Sequence, residues 1–358
     1  MESNHTHIRP LVHSLFAVRQ TERLWHIPLL ASLCAGIPLL AGLYFKEMSY
    51  GILGSTAGLV ILYLPTTSVA NRMITMLACS FGFMLSFAVG IIFSFHPIVS
   101  SIVFALLAFS VQWVTNFFRM KPPGSFFFLM IASIAISTPF NLSTIAVRIG
   151  VVGMGTMLAC LLAFVYSLYI VQKHPPLPVG PHPKRSRYRN TIESAIVGSF
   201  MGFSLVVAHL LKLQNPYWVP ISCLAVMQGV SLEHVWSRSL QRILGTFVGL
   251  GLAWLLLLQG LTPLSICISV FVLQFIIEML VVRHYGLAVV FITPLTLFLA
   301  EAGSAMHADL DTLMPARFLN IALGSIIGAI AGWFIHHEQL KERAERQIRK
   351  TRIALLRR

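Results

Sequence analysis

Two arginines one helical turn apart could bind an anion. Arg238 and Arg242 are separated by four positions, so on a helix both guanidinium groups face the same side. A planar guanidinium binds a carboxylate through two parallel N–H bonds. The pair therefore predicts a carboxylate-binding surface near one end of a helix. In the competing interpretation both side chains extend to lipid phosphates and only fix the orientation of the helix.

A second pair of arginines recurs at equivalent places in the chain. Arg148 and Arg317 are 169 positions apart, and each lies seven residues before a series of small residues at four-residue spacing. The two series are Gly155, Ala159, Ala163 and Gly324, Gly328, Gly332. Such spacing lets helices pack closely in lipid, so both arginines are predicted to point toward a helix–helix contact. We interpret them as an anion-attracting ring or exit gate, with pairing to nearby acids or lipid headgroups as the alternative.

One acidic residue lies deep in an apolar segment. Glu278 is four residues from the end of its predicted span, and Gln274 is one turn earlier on the same face. Carboxylates in lipid are rare and normally have a partner, and in transporters they often carry a proton. Glu278 is therefore the candidate for proton coupling. A structural ion pair with Arg283 is the alternative.

Aromatic and small residues flank the first arginine pair. Tyr217 and Trp218 open an apolar stretch before it and could stack on an aromatic ligand, although aromatics near span ends commonly anchor a helix at the membrane interface. Gly245 and Gly249 continue the face of Arg242, which predicts close approach of a neighbouring helix.

The composition requires a membrane to cover these segments. The chain is 56% hydrophobic and 11% charged, with a mean hydropathy of +0.80. A soluble protein of this size could not keep so much apolar surface from water. The five cysteines lie in apolar runs without metal-ligand spacing, and no phosphate-binding loop or dinucleotide motif is present. We therefore expect no cofactor, no metal, no catalytic residues and no enzyme activity.

The apolar runs predict an all-α polytopic membrane protein of about twelve transmembrane helices in two parallel six-helix repeats. Residues 1–23 form a cytoplasmic segment, 24–172 the first repeat, 173–190 a basic proline-rich linker, 191–337 the second repeat and 338–358 a basic cytoplasmic tail. Equivalent residues recur 162 positions apart; they are Gln112, Asn116, Lys121, Gly124 and Gln274, Glu278, Arg283, Gly286. The second, fifth, eighth and eleventh spans are short, about 14–15 residues. Matched interruptions of this kind indicate a translocation site.

The basic residues give the orientation. The net charge is +14, and the predicted spans place 22 of the 26 Lys and Arg residues on the side of both termini. The positive-inside rule makes that side cytoplasmic. The opposite side has four basic residues and an acidic loop with Glu301, Asp309 and Asp311. This distribution argues against nucleic acid as a partner. We interpret the basic tail as a solvated segment that fixes the orientation, with an interfacial helix held by anionic lipid at the cytoplasmic face as the alternative.

The segment from Asn215 to Gly251 resembles the fusaric acid resistance-like family, which includes aromatic acid exporters. The resemblance depends on Tyr217-Trp218, an apolar span, a short polar loop, and then Arg238 and Arg242 with small residues running into the next helix. It implies transport of organic, often aromatic, carboxylates out of the bacterial cell across the inner membrane. The first half has Ser49-Tyr50-Gly51 at the comparable place and nothing basic matching Arg242.

These observations predict a secondary exporter of organic anions in the bacterial inner membrane, with proton coupling through Glu278 as one mechanism. The expected partners are a small organic anion and the lipid bilayer, and two chains could pair as a homodimer. Two alternatives stay open at this point. One is a passive anion channel, and the other is a non-transporting membrane scaffold whose glycine series serve assembly.

Overall fold

The computed structural model describes residues 21, 23–175, 187–258, 262–303, 310–339 and 342, and the side chains of all of these except 300–303 and 310–312. Most of the predicted N-terminal segment, linker and tail, and the side chains of Glu301, Asp309 and Asp311, therefore lie outside the described residues.

Twelve α-helices form the described part of the chain, and no strand occurs in it. They are α1 (His26–Tyr44), α2 (Met48–Gly58), α3 (Val69–Ile92), α4 (Pro97–Phe117), α5 (Phe126–Ile136), α6 (Leu142–Lys173), α7 (Arg187–Leu210), α8 (Trp218–Met227), α9 (Leu232–Leu257), α10 (Pro263–Leu280), α11 (Tyr285–Gly303) and α12 (Leu310–His336). A 3-10 turn, Leu59–Tyr63, extends α2. The all-α class is confirmed.

Eight of these helices are long and apolar enough to cross a membrane, and four segments are shorter. The short segments are Met48–Tyr63, Phe126–Ile136, Trp218–Met227 and Tyr285–Leu299. They lie in the second, fifth, eighth and eleventh helices, the positions at which the sequence predicts short spans; in α11 the segment ends where the described side chains end, and the helix itself continues to Gly303. The chain is therefore a multi-span membrane protein, and its short segments recur at every third helix.

Polar residues mark where several long helices begin. The side chains of Asn141 and Ser231 accept hydrogen bonds from backbone N–H groups at the starts of α6 and α9. At α10, Thr262 and Ser265 form a reciprocal capping box around Pro263. These groups satisfy N–H donors that have no partner within the helix, and the apolar run then continues without interruption.

The same pairs of helices pack together in each half of the chain. In the first half, α1 packs on α2, α2 on α6, and α3 on both α5 and α6. In the second half, α7 packs on α8, α8 on α12, and α9 on both α11 and α12. In each case, the helix numbers of the second-half pair are those of the first-half pair plus six.

Contacts between the halves are reciprocal. Helix α1 packs on α10 while α7 packs on α4, and the short helices α2 and α8 touch α11 and α5. Two clusters of buried apolar side chains join the halves. One contains Phe104 and Leu205, and the other contains Leu39 and Phe298. The halves therefore share a core, and the short helices face each other across it.

Glycines allow the closest helix approaches in both halves. A methyl group added at Gly155 on α6 would lie 2.5 Å from the carbonyl oxygen of Gly54 on α2. At Gly324 on α12 it would lie closer still to the carbonyl oxygen of Val219 on α8. At Gly328 the corresponding distance, to the Cys223 carbonyl oxygen, is 2.5 Å.

The remaining glycines of the predicted packing set touch other helices. A methyl group at Gly245 or Gly249 on α9 would lie 2.8 or 2.6 Å from a backbone oxygen of α11. At Gly332 it would lie 2.5 Å from the side chain of Val235 on α9. Each position admits only a hydrogen, so the helices meet there backbone to backbone or backbone to side chain.

Candidate functional site

A cavity of about 1110 Å³ lies between the two halves. Its wall is mostly apolar and includes residues of all four short segments, such as Leu53, Phe127, Trp218 and Ile292. Its basic lining residues are Arg23, Arg72, Arg148, Arg238 and Arg242, together with His174, whereas Glu278 is its acidic residue among the described lining. The cavity therefore combines an apolar surface with an excess of positive charge.

Arg242 places a buried guanidinium group in the wall of this cavity. It lies ten residues after the start of α9, or about 15 Å along the helix axis, and its side chain is only 4% exposed. Its Nη1 donates to the hydroxyl of Tyr285 over 2.9 Å, and its buried Nε has no hydrogen-bond partner. Within the described residues, no salt bridge joins Arg242 to a carboxylate.

Tyr285 connects the two arginines of the first predicted pair. The guanidinium carbon of Arg238 lies 4.1 Å from the centre of the Tyr285 ring, a cation–π contact. Arg238 also donates from Nε to the carbonyl oxygen of Ala225 over 3.1 Å. One tyrosine therefore holds Arg242 with its hydroxyl and Arg238 with its ring face. Sequence reasoning missed Tyr285, although its place at the start of an apolar segment, two residues after Arg283, was a usable signal.

Arg317 lies apart from the cavity and beneath Trp218. Its guanidinium carbon is 3.7 Å from the centre of the indole ring, and one terminal nitrogen donates to the hydroxyl of Thr296. The residue is 5% exposed, and its Nε has no hydrogen-bond partner. Arg317 lines a small pocket of about 10 Å³, and Trp218 lines both that pocket and the central cavity.

Arg148 and Tyr217 line the central cavity directly. Arg148 is half-buried near the start of α6. Tyr217 precedes α8, its ring centre is 4.9 Å from that of Trp218, and its carbonyl oxygen accepts a hydrogen bond from Ser133 of α5. Of the six residues predicted to bind substrate, five therefore meet at one cavity and Arg317 does not.

Glu278 has an ion-pair partner that the sequence did not suggest. Its Oε2 lies 3.0 Å from one terminal nitrogen of Arg23, Nη2. The other terminal nitrogen, Nη1, donates to the Glu278 carbonyl oxygen over 3.3 Å. Gln274 donates to Oε1 over 3.2 Å, one turn away as the spacing predicts. Arg283, the alternative partner considered from sequence, is exposed. The pair thus ties the segment before α1 to the end of α10.

Arg72 is a second lining arginine that sequence reasoning did not assign to the site. It is 166 positions before Arg238, it is buried, and its Nε donates to the carbonyl oxygen of Thr67 over 2.8 Å. Elsewhere in the described residues, no group of three His, Cys, Asp or Glu side chains could hold a metal ion, and all five cysteines are free and buried.

Comparison with known proteins finds a family match in the second half of the chain. Residues 203–331 match the sequence profile of the fusaric acid resistance protein-like family. A relative, the uncharacterized membrane protein YvaC of Bacillus subtilis (strain 168), is 39% identical over 118 residues, which are 32% of this chain and 18% of that protein. No solved structure gives a significant match. The resemblance is therefore confirmed: this chain is a multi-span membrane protein with a fusaric acid resistance protein-like region at residues 203–331.

Proposed function

We propose that this protein is a secondary exporter of organic anions, with aromatic carboxylates as the substrate class. The observation that carries the proposal is the state of Arg242. Its buried guanidinium faces a cavity between the two halves and donates to the Tyr285 hydroxyl, without a carboxylate among its described contacts. The family match supports a transport role, because the matched region includes Trp218, Arg238, Arg242, Tyr285 and Arg317.

The chemistry of the cavity suits a ligand with a charged end and an apolar body. A buried guanidinium with an unpaired N–H is costly, and an incoming carboxylate would satisfy it with charge-assisted bonds. Tyr217, Trp218 and Phe127 line the same space and offer ring faces for an aromatic body. Binding pockets for small molecules commonly combine an apolar wall with a few placed polar groups.

The twelve helices are proposed to form two parallel six-helix repeats, with the cavity at their interface. The advance of six helices between equivalent packing pairs supports this arrangement, as do the reciprocal contacts of α1 with α10 and α7 with α4. The charge distribution supports cytoplasmic termini in a bacterial inner membrane. An anion would then meet Arg238 first, Arg242 deeper, and Arg148 and Arg317 toward the far side.

Proton coupling through Glu278 is a separate part of the proposal. Arg23 gives this carboxylate a counter-charge in the present state, so a proton could load only when that pair opens. Inverted vesicles with an imposed pH gradient test the coupling. A flux of the substrate that follows the gradient and loses that dependence in Glu278→Gln supports it. An equal flux with and without the gradient removes it.

The first experiment measures thermal stabilisation of detergent-purified protein by a panel of aromatic and aliphatic carboxylates. We expect a selective rise in melting temperature that Arg242→Gln abolishes. Arg283→Gln is the matched control, because the same change is made at an exposed arginine outside the cavity. Folded protein that responds to no carboxylate, or that responds equally in Arg242→Gln, would overturn the anion site.

Flux measurements separate an exporter from the two alternatives. Coupled, saturable uptake into inverted vesicles is expected of an exporter. Single-channel currents carried by the same anion would establish a passive channel instead. A chain that moves no anion, but loses its assembly when Gly328 is enlarged, would be a scaffold.

A further inference from the structure

We propose that Arg317 forms a second anion-binding site, in series with Arg242, and that the indole of Trp218 separates the two. The ligand class is a small carboxylate or another monovalent anion. The order of the two sites along an export path rests on the proposed function. The existence of the second site does not, since it is argued from the contacts of Arg317 and Trp218.

The small pocket beneath Trp218 is lined by two buried polar residues that each have one atom without a hydrogen bond. Arg317 is 5% exposed and Asn320 is 1% exposed. The Nε of Arg317 and the Oδ1 of Asn320 make no hydrogen bond, although both residues line the pocket. Buried donors and acceptors are usually satisfied, so an unpaired guanidinium N–H on a helix inside a membrane needs a further function.

The indole ring occupies the position that a counter-ion would take. Among the described residues no salt bridge joins Arg317 to a carboxylate, and the Trp218 ring face covers its guanidinium at 3.7 Å. A ring quadrupole stabilises a cation less than a desolvated carboxylate does. An anion that reaches Arg317 would therefore displace the ring. The pocket of about 10 Å³ is too small for a carboxylate until the ring moves.

The loop that carries Trp218 is attached to the same site. Asn320 lies three residues after Arg317 on α12, and its Nδ2 donates to the carbonyl oxygen of Gln214 over 2.6 Å. Asn215 has a positive φ of 52°, a conformation that asparagine tolerates better than most residues. The chain then turns into α8, whose first residue is Trp218. A ligand that engages Arg317 would therefore lie beside the segment that positions the indole.

Charge-selective labelling of a cysteine in the pocket tests this proposal without knowledge of the substrate. Leu297 lines the pocket and is 2% exposed, so Leu297→Cys reports access to it. Inverted vesicles are treated with anionic sulfonatoethyl methanethiosulfonate or cationic trimethylammonium-ethyl methanethiosulfonate. We expect slow labelling behind the intact indole. In Trp218→Ala the anionic reagent should react about tenfold faster or more, because the partition is removed.

The charge of Arg317 is then tested in the opened pocket. Adding Arg317→Gln to Trp218→Ala should slow the anionic reagent severalfold and leave the cationic reagent unchanged or faster. Trp218→Phe, which keeps a ring, should give an intermediate rate and serves as the measurement if Trp218→Ala does not fold. Trp254→Ala, which removes an exposed indole from α9, is the matched control and should leave labelling slow.

Two further samples make each outcome decisive. Leu53→Cys reports the central cavity and should label in every variant, whereas the chain without an added cysteine is the blank because its five native cysteines are buried. Two results would overturn the second site. One is a labelling rate of Leu297→Cys that does not change when Trp218 is replaced. The other is an acceleration that is equal for both reagents, whether or not Arg317 is present. If the expected labelling rates are found but the protein transports no carboxylate, the second site is retained and the exporter proposal is rejected.

Discussion

The two halves of the cavity wall use the same packing to present different chemistry. Gly155 and Gly324 make equivalent approaches to the backbone of Gly54 and Val219, which places Leu53 and Trp218 at matching positions one residue earlier. Arg148 in the first half opens into the cavity, whereas its counterpart Arg317 is covered by the indole. The half with leucine at this position therefore has an arginine open to the cavity, and the half with tryptophan has one that the indole covers.

At a second pair of matching positions, the second half has a buried arginine and the first half has an apolar residue. Arg72 and Arg238 are 166 positions apart and both line the cavity, but the residue 166 positions before Arg242 is Met76, a fully buried core side chain. The second half thus holds Arg242 and its phenol partner, while the first half has an apolar core side chain at the position that matches Arg242. On the proposed function, we expect recognition of the anion to depend mainly on Arg242 in the second half, where the family match lies.

Removing the deep cation should have the largest effect on ligand binding. Arg242→Gln is expected to weaken binding of the best carboxylate by about 100-fold, because a buried charge-assisted contact of roughly 3 kcal/mol is lost. Isothermal titration on purified protein measures the change. Arg283→Gln should bind as wild type does. A loss of less than about threefold in Arg242→Gln would break the assignment of recognition to the second half.

Enlarging the equivalent glycines tests whether the halves really pack alike. Gly155→Ala and Gly324→Ala should each destabilise the fold by about 1–3 kcal/mol, because the added methyl meets backbone atoms that cannot move away easily. Thermal unfolding in detergent checks this. Gly251→Ala, where nothing lies within 4 Å, is the control and should be neutral or slightly stabilising. Tolerance in one half alone would contradict the equivalence.

The phenol that holds Arg242 should matter more than a cavity tyrosine of the first half. Tyr285→Phe is expected to lower the stability of the ligand-free protein by about 1–2 kcal/mol, because it leaves a buried guanidinium N–H without its acceptor. Tyr50→Phe is the matched change, since both tyrosines line the cavity. Equal melting temperatures for the two variants would show that the phenol does not support the arginine.

The smallest effect is expected at the open arginine of the first half. Arg148→Gln should reduce carboxylate affinity only about two- to fivefold, because a half-exposed charge in a hydrated cavity contributes roughly 0–1 kcal/mol. The remaining effect should fade at high salt. Titration at two ionic strengths measures both. A loss as large as that of Arg242→Gln would show that the two walls share the anion equally.

Helix positions were largely predictable from the chain because hydropathy and capping are local. The predicted second, fifth, eighth and eleventh spans correspond to the four short segments, and Thr262 with Pro263 marks the start of α10. The count of membrane-long helices was less predictable. Eight of the described helices are long and apolar enough to cross a membrane, because helices such as Phe126–Ile136 and Trp218–Met227 end well before a run of about 20 residues.

The candidate site was predicted in its residue types but only partly in its geometry. Arg238, Arg242, Tyr217, Trp218 and Arg148 were expected at a substrate surface, and all five line one cavity. Arg317 was expected with them and is instead behind Trp218, since the face of α12 that carries the arginine turns toward the loop before α8 and not toward the cavity.

The sequence by itself determined the membrane class, the alternation of long and short helices and the presence of unusually placed charges, because each depends on residues that are neighbours along the chain. Only the tertiary structure decided which charges meet. Arg23 pairs with Glu278 across 255 positions, and Trp218 covers Arg317 across 99. Such contacts depend on how separate helices rotate and pack against each other, and helical periodicity does not encode that choice.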